Sequence, residues 1–368
     1  MHAQLPRVRL AAVAALAIPA LAGAASPGNP PAAQAGSARV VTAYVLNSGA
    51  VTPINTVTNK AGTAISTGGD SFAMVITPNG KTVYVNGFSG GMPTVLPIRT
   101  ATNKPGTAIV AGRGPAGLAV TPDSKTLYVA DQESDDVIAV STATSQTVGS
   151  FGTGEVPVAV AVSPNGVSGY VADNGDNTVT PFTVATNTAG SLIHLGFAPL
   201  LVAITPDSTT AYADGGTSTV TPIRTATNKA LKPINVGAGA GGIAITPDGK
   251  TAYVISSLGV TPINTATNNP GKLIKIPGGD IAITPDGKTA YVAAGSGTVT
   301  PVRIATNRVL KPIHVGTNAS HIAITPDGKT AYVTSNLGVT PINTATNKPG
   351  KLIKVPGGAG LIVVTPAG

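Results

Sequence analysis

From residue 39 onward the apolar positions fall in short runs separated by turn chemistry, and one unit is legible from Ile243 to Gly278. Ile243-Ala244-Ile245 is a continuous apolar run, as expected of a strand covered on both faces. Thr-Pro-Asp-Gly-Lys (246–250) is a hairpin turn: Pro presets φ, Asp can bond nearby backbone, and Gly takes the left-handed position. Thr251–Ile255 and Gly259–Thr265 predict a second and a third strand. Thr265–Gly271 is a further turn. Lys272–Ile276 alternates Lys with apolar residues, which predicts a half-exposed outer strand.

The unit recurs. All eight tyrosines (Tyr44, Tyr84, Tyr128, Tyr170, Tyr212, Tyr253, Tyr291, Tyr332) stand at its second strand. Their spacing of about 41 residues indicates a tandem array. The Thr/Ser-Pro turn also occurs eight times, from Pro78 to Pro366. The first Tyr strand lacks an inner strand before it, and the last inner strand (361–365) lacks a Tyr strand after it. Together they complete one unit, so pairing of the two chain ends closes a ring without a free edge. The prediction is an all-β, eight-bladed β-propeller of four-stranded antiparallel blades, with seven blades as the alternative. Blades are numbered here by their tyrosines. The stretches 259–279 and 338–358 differ at two positions, Asn269/Lys348 and Ile276/Val355, which marks a duplicated two-blade unit. Pro53, Pro97, Pro181, Pro222, Pro262, Pro301 and Pro341 fall inside the third strand, with Ala139 in their place in blade 3. Proline donates no ladder bond, which predicts a bulge or local detachment there.

Composition adds three constraints. Arg7 and Arg9, the apolar stretch 10–21 and Ala22-Gly23-Ala24 read as a secretory signal over 1–24. A flexible lead-in over 25–38 and a single propeller over 39–368 follow. The reading is a secreted, extracytoplasmic monomer with no membrane span after cleavage. The chain has no Cys, which excludes disulfides and thiolate sites. Charge is uneven: residues 39–214 carry 7 basic and 11 acidic residues, and 215–368 carry 14 and 4.

Ile-Thr-Pro-Asp-Gly-Lys-Thr-Ala-Tyr-Val followed by Val-Thr-Pro-Ile-Asn-Thr-Ala-Thr-Asn resembles the YVTN-type β-propeller repeat over residues 39–366. Thr-Pro-Asp-Gly-Lys-Thr-Ala-Tyr-Val is identical at 246–254, 284–292 and 325–333. The resemblance implies a propeller of seven or eight blades, often in extracytoplasmic cell-envelope proteins. Similar propellers include lactonases, virginiamycin B lyase and dehydrogenase subunits, so fold alone names no reaction.

Three sets of residues carry candidate chemistry. Loops leading into the first strands hold Asp70, Arg113, Glu155, Asp280, Asn318 and His321 at the expected channel mouth. Of these, Asp70, Glu155, Asp280 and His321 are candidate acids and bases, with solvated loop residues as the plainer alternative. Asp131, Glu133, Asp135, Asp173 and Asp176 present oxygen ligands on alternating positions suited to Ca²⁺. They lack the Gly and Glu of an EF-hand loop, and Asp is an ordinary turn former. Lys272, Lys275, Lys311, Lys351 and Lys354 lie on outer strands, where lysine guards against edge pairing or meets an anionic polymer. With Arg113 these are the candidate binding residues. Scarce aromatics count against single-stranded nucleic acid. His194 and His314 share a repeat position with Asn235, Lys275 and Lys354, as exposed residues do. The expected function is a non-catalytic binding propeller contacting an anionic surface polymer or a protein, without a cofactor. The alternative is a metal-assisted lactonase or lyase at the channel mouth.

Overall fold

The structure is a computed structural model that describes residues 40–47 and 49–367; the expected signal and lead-in lie outside them. Eight antiparallel sheets are present, seven built from consecutive strands and one from both ends of the chain. Blade 6 is typical, with Gly242–Ile245 innermost, then Thr251–Ser256, Gly259–Asn264 and Asn269–Pro270. In blade 1 the innermost strand is Ile362–Val364, which pairs with Thr42–Asn47 in the register Ala43↔Val364, Tyr44↔Val363 and Val45↔Ile362. Bonds of 2.9 Å from Thr365 N–H to the Thr42 carbonyl and from Thr42 N–H to Thr365 Oγ1 extend this seam. The ring is closed by both chain ends, and the eight-bladed reading holds.

The turns form as their chemistry dictates. In blade 6 the Thr246 hydroxyl donates to Asp248 Oδ1 at 2.7 Å and accepts the Thr251 N–H at 3.1 Å, while Gly249 takes φ +71°. Each Tyr ring is buried between neighbouring blades. Glycine is required at Gly169, because a Cβ there would overlap the Phe182 ring, which packs edge-on against Tyr128.

Seven of the eight blades are tied to the next by a bond that the repeat pattern did not announce. The Asn of the Thr-Ala-Thr-Asn turn takes a left-handed conformation, and its side-chain oxygen accepts the Tyr hydroxyl of the preceding blade. Tyr170–Asn228, Tyr253–Asn307 and Tyr291–Asn347 are 2.7 Å apart. Tyr332 reaches across the seam to Asn59 at 2.6 Å. The series is interrupted at Tyr84, where Ser145, also left-handed at φ +59°, replaces Asn. Burial pushes seven of the tyrosines, Tyr84 among them, up to about 12, so they remain hydroxyl donors.

The prolines act on the neighbouring strand rather than on their own. Each third strand is unbroken, with Pro directly opposite Tyr, as in Tyr253↔Pro262 and Tyr332↔Pro341. The nitrogen that lacks a hydrogen faces the fourth strand, and it is this strand that divides. In blade 8 it pairs as Lys348–Pro349 and again as Ile353–Lys354, with Gly350 N–H on the Pro341 carbonyl at 2.7 Å between them. Blade 3 is the internal control. Ala139 replaces Pro, and Thr147–Gly152 runs as one six-residue strand with a single register shift. The expected discontinuity exists, displaced one strand outward.

Candidate functional sites at the channel mouth and on the outer wall

Loops leading into first strands and loops between second and third strands meet at one end of the ring, here called upper. The Asp131 carboxylate, for instance, accepts Arg113 N–H at 2.7 Å and Gly114 N–H at 2.6 Å. The Thr-Pro-Asp and Thr-Ala-Thr-Asn turns meet at the lower end, where the Thr265 hydroxyl bonds the Gly249 carbonyl.

Among the candidate acids and bases, the structure brings Asp280 and His321 together. Asp280 Oδ1 accepts Ile281 N–H at 2.8 Å. Its Oδ2 crosses from blade 7 to blade 8, accepts Ile322 N–H at 2.9 Å and lies 3.5 Å from His321 Nδ1. At this distance the pair is in electrostatic contact rather than hydrogen-bonded, and it leaves Nε2 as the other reactive atom of the ring. The neighbouring Ser320 hydroxyl is shared with Thr334 Oγ1 at 2.9 Å. Asp70, Arg113 and Glu155 stand exposed on other loops and Asn318 stands exposed on the loop that carries His321; none of the four is in salt-bridge contact with that pair or with another of the four. Among the described residues no group of three or more His, Asp or Glu is placed to hold a metal ion.

In the acidic loops of blades 3 to 5, one aspartate per loop (Asp131, Asp173 and Asp214) is fully buried. Asp131 is fully buried and spends both oxygens on backbone N–H groups. Asp135 Oδ1 accepts Val156 N–H at 2.7 Å and so holds Val156 at φ +54°, an uncommon conformation for a β-branched residue. Asp173 is fully buried; its Oδ2 accepts Thr180 and Thr178 hydroxyls at 2.6 and 3.2 Å, while Oδ1 has no partner. Burial raises Asp173 to about 7, the two hydroxyl bonds opposing it. Asp176 Oδ1 accepts the Thr178 hydroxyl at 2.7 Å, and Glu133 is exposed. Asp214, at the end of the second strand of blade 5, is also fully buried, and burial raises it to about 6.

Charge divides by the ends of the ring as well as by halves of the chain. Five of the 15 acidic residues are aspartates of the lower Thr-Pro-Asp turns; the remaining ten stand in upper loops. Three lower-end pairs place cations directly opposite one another across the third and fourth strands: Arg99↔Lys104, Arg224↔Lys229 and Arg303↔Arg308. Like charges in this arrangement destabilise a sheet. Among the described residues none of these cations has a carboxylate in salt-bridge contact, unlike Lys125, Lys250, Lys288 and Lys329, each held by its own turn Asp. Lys272, Lys275, Lys311, Lys351 and Lys354 are exposed on the outer wall and equally without an acidic partner. His194 and His314 are exposed too.

No family model matches the chain, and no curated protein matches it either. Solved structures do. The dihydro-heme d1 dehydrogenase NirN, in complex with DHE, superimposes with a TM-score of 0.72 at 14% identity, over 92% of this chain and 77% of its own. Kuenenia stuttgartiensis hydrazine synthase gives 0.59 at 24% identity, over 75% of this chain and 96% of its own. At such identities the likeness establishes the propeller fold; both neighbours are enzymes.

Proposed function

We propose that this chain is a secreted binding propeller of the YVTN-repeat type, which contacts an anionic polymer of the cell envelope through basic residues on the outer strands of its C-terminal half. The observation that carries this reading is the set of exposed cations without acidic partners, some of them opposed to like charges. Such an arrangement weakens the isolated sheet and is relieved by an anionic ligand. The binding variant to test is Lys272→Gln/Lys275→Gln/Lys351→Gln/Lys354→Gln. Pull-down of the full chain on purified anionic wall polymer should weaken with salt and with this variant. Failure to bind at low salt would overturn the reading.

The Asp280–His321 pair favours a second reading, a lyase or lactonase with His321 as general base and Asp280 orienting it. It lacks a converging ligand set for the metal that such a mechanism was expected to use, and it ranks second for that reason.

A further inference from the structure

We propose that the outer wall carries one continuous cationic stripe for a linear anionic polysaccharide, and that this stripe runs across the ring seam into blade 1. The inference rests on the polymer-binding reading above and adds a location, a path and a ligand class to it.

The stripe follows from the proline break. In a regular strand, residues three apart point to opposite faces. The interrupted fourth strand escapes this alternation. In blade 7, Arg308, Lys311 and His314 are all exposed while Ile313 between them is buried. In blade 8 the same holds for Lys348, Lys351 and Lys354 around Ile353. The outer strands of blades 7 and 8 therefore each present a row of positive or titratable groups at every third residue, up to about 10 Å apart.

Neighbouring rows join end to end. The upper piece of one outer strand packs beside the lower piece of the next: Ile313–His314 beside Lys348–Pro349, and Ile353–Lys354 beside Lys60–Ala61. The second contact crosses the seam, so exposed Lys60, near one end of the sequence, continues a row that begins near the other. An open cleft of about 340 Å³ lies at this junction, lined by Lys348 and Pro349 of blade 8 and Asn59 of blade 1, with Asn343 beside them. The side-chain oxygens of Asn59 and Asn343 are taken up by Tyr332 and Thr346 respectively, which leaves their NH₂ groups to donate outward.

The ligand class follows from spacing and chemistry. Charges spaced at every third residue, up to about 10 Å apart, suit a polysaccharide with one carboxylate per disaccharide. A DNA strand in a duplex carries one phosphate per about 3.4 Å of helix axis, a denser charge, and single strands are held by stacking on aromatic side chains, for which this row supplies no Phe, Tyr or Trp. Lysine ammonium groups and amide donors suit carboxylates and sugar hydroxyls.

The test uses the full chain and hyaluronan fragments of graded length, with a single-stranded DNA oligonucleotide and a phosphate-backbone wall polymer in parallel. Hyaluronan affinity should rise with fragment length, fall at least tenfold in Lys60→Gln/Lys348→Gln, and stay unchanged in Lys250→Gln/Lys329→Gln, whose lysines lie off the stripe. If the four-lysine variant of the preceding section weakens binding and the seam variant does not, the stripe is overturned while polymer binding stands. Binding to DNA or the phosphate polymer but not to hyaluronan overturns the ligand class. Binding to none of the three overturns both inferences.

Discussion

Asp173 shows at the scale of one residue how burial decides what a carboxylate does. Its pKa rises from 3.8 to about 7 because desolvation outweighs two hydroxyl bonds. Below about pH 4 both folded and unfolded chains hold the proton. As pH rises from 4 to 7 the unfolded chain releases it first, so the stability present at low pH is lost through this window. Asp214 acts in the same direction up to about 6. Asp173→Asn removes the penalty, and at pH 8 it should stabilise the fold by roughly 2–4 kcal/mol at 1.36 kcal/mol per unit. At pH 3.5 it should give no gain. Urea unfolding at the two pH values checks this; equal effects at both would show that the carboxylate is not the cause. Sequence offered Asp173, Asp131 and Asp135 as ordinary turn formers first and calcium ligands second. Which oxygens are consumed by Thr178, Thr180, Arg113 and Val156 depends on chain segments that only the fold brings together.

The Asn–Tyr bond belongs to the scale of the element. The Tyr period alone gave the architecture, because a residue type used once per unit fixes phase and number. The role of Asn was hidden, since a left-handed turn Asn has a sufficient local explanation in its conformation. Its partner is more than fifty residues away in sequence. Ser145 stands where Tyr84 would meet this Asn, already in the required conformation. Ser145→Asn should therefore raise stability by about 1 kcal/mol, and Asn307→Ala should lower it by about as much. Thermal melts of the two variants test this. A destabilised Ser145→Asn would mean that the blade 2–3 junction differs from the others in more than one side chain. The prolines were legible as a disturbance and Pro262 and its counterparts do lie in the third strand, but the break they cause falls in the fourth strand instead. A missing N–H is felt by the strand it faces, and sequence does not say which side that is.

At the scale of the whole molecule, ring closure decides both stability and surface. Removing residues 359–368 deletes the strand that pairs with Thr42–Asn47 and exposes a sheet edge. Such a chain should melt far below the intact one and aggregate; unchanged solubility and melting temperature would refute the seam. Closure also explains why charge was misread from sequence alone. A division into an acidic and a basic half is correct as arithmetic, yet it hides that the carboxylates outside the Thr-Pro-Asp turns gather at the upper end and that Lys60 joins the cations of blade 8. The Asp280–His321 pair was likewise invisible, because the two residues sit 41 positions apart on adjacent blades.

The most direct test of the binding account is the equilibrium affinity of the full chain for purified anionic wall polymer, measured across a salt series. Contact through exposed, unpaired cations predicts an affinity that falls steadily as salt rises, because screening removes long-range attraction between solvent-exposed charges. It also predicts a shallower salt dependence in the four-lysine variant. Affinity indifferent to salt, or absence of binding at low salt, would contradict it.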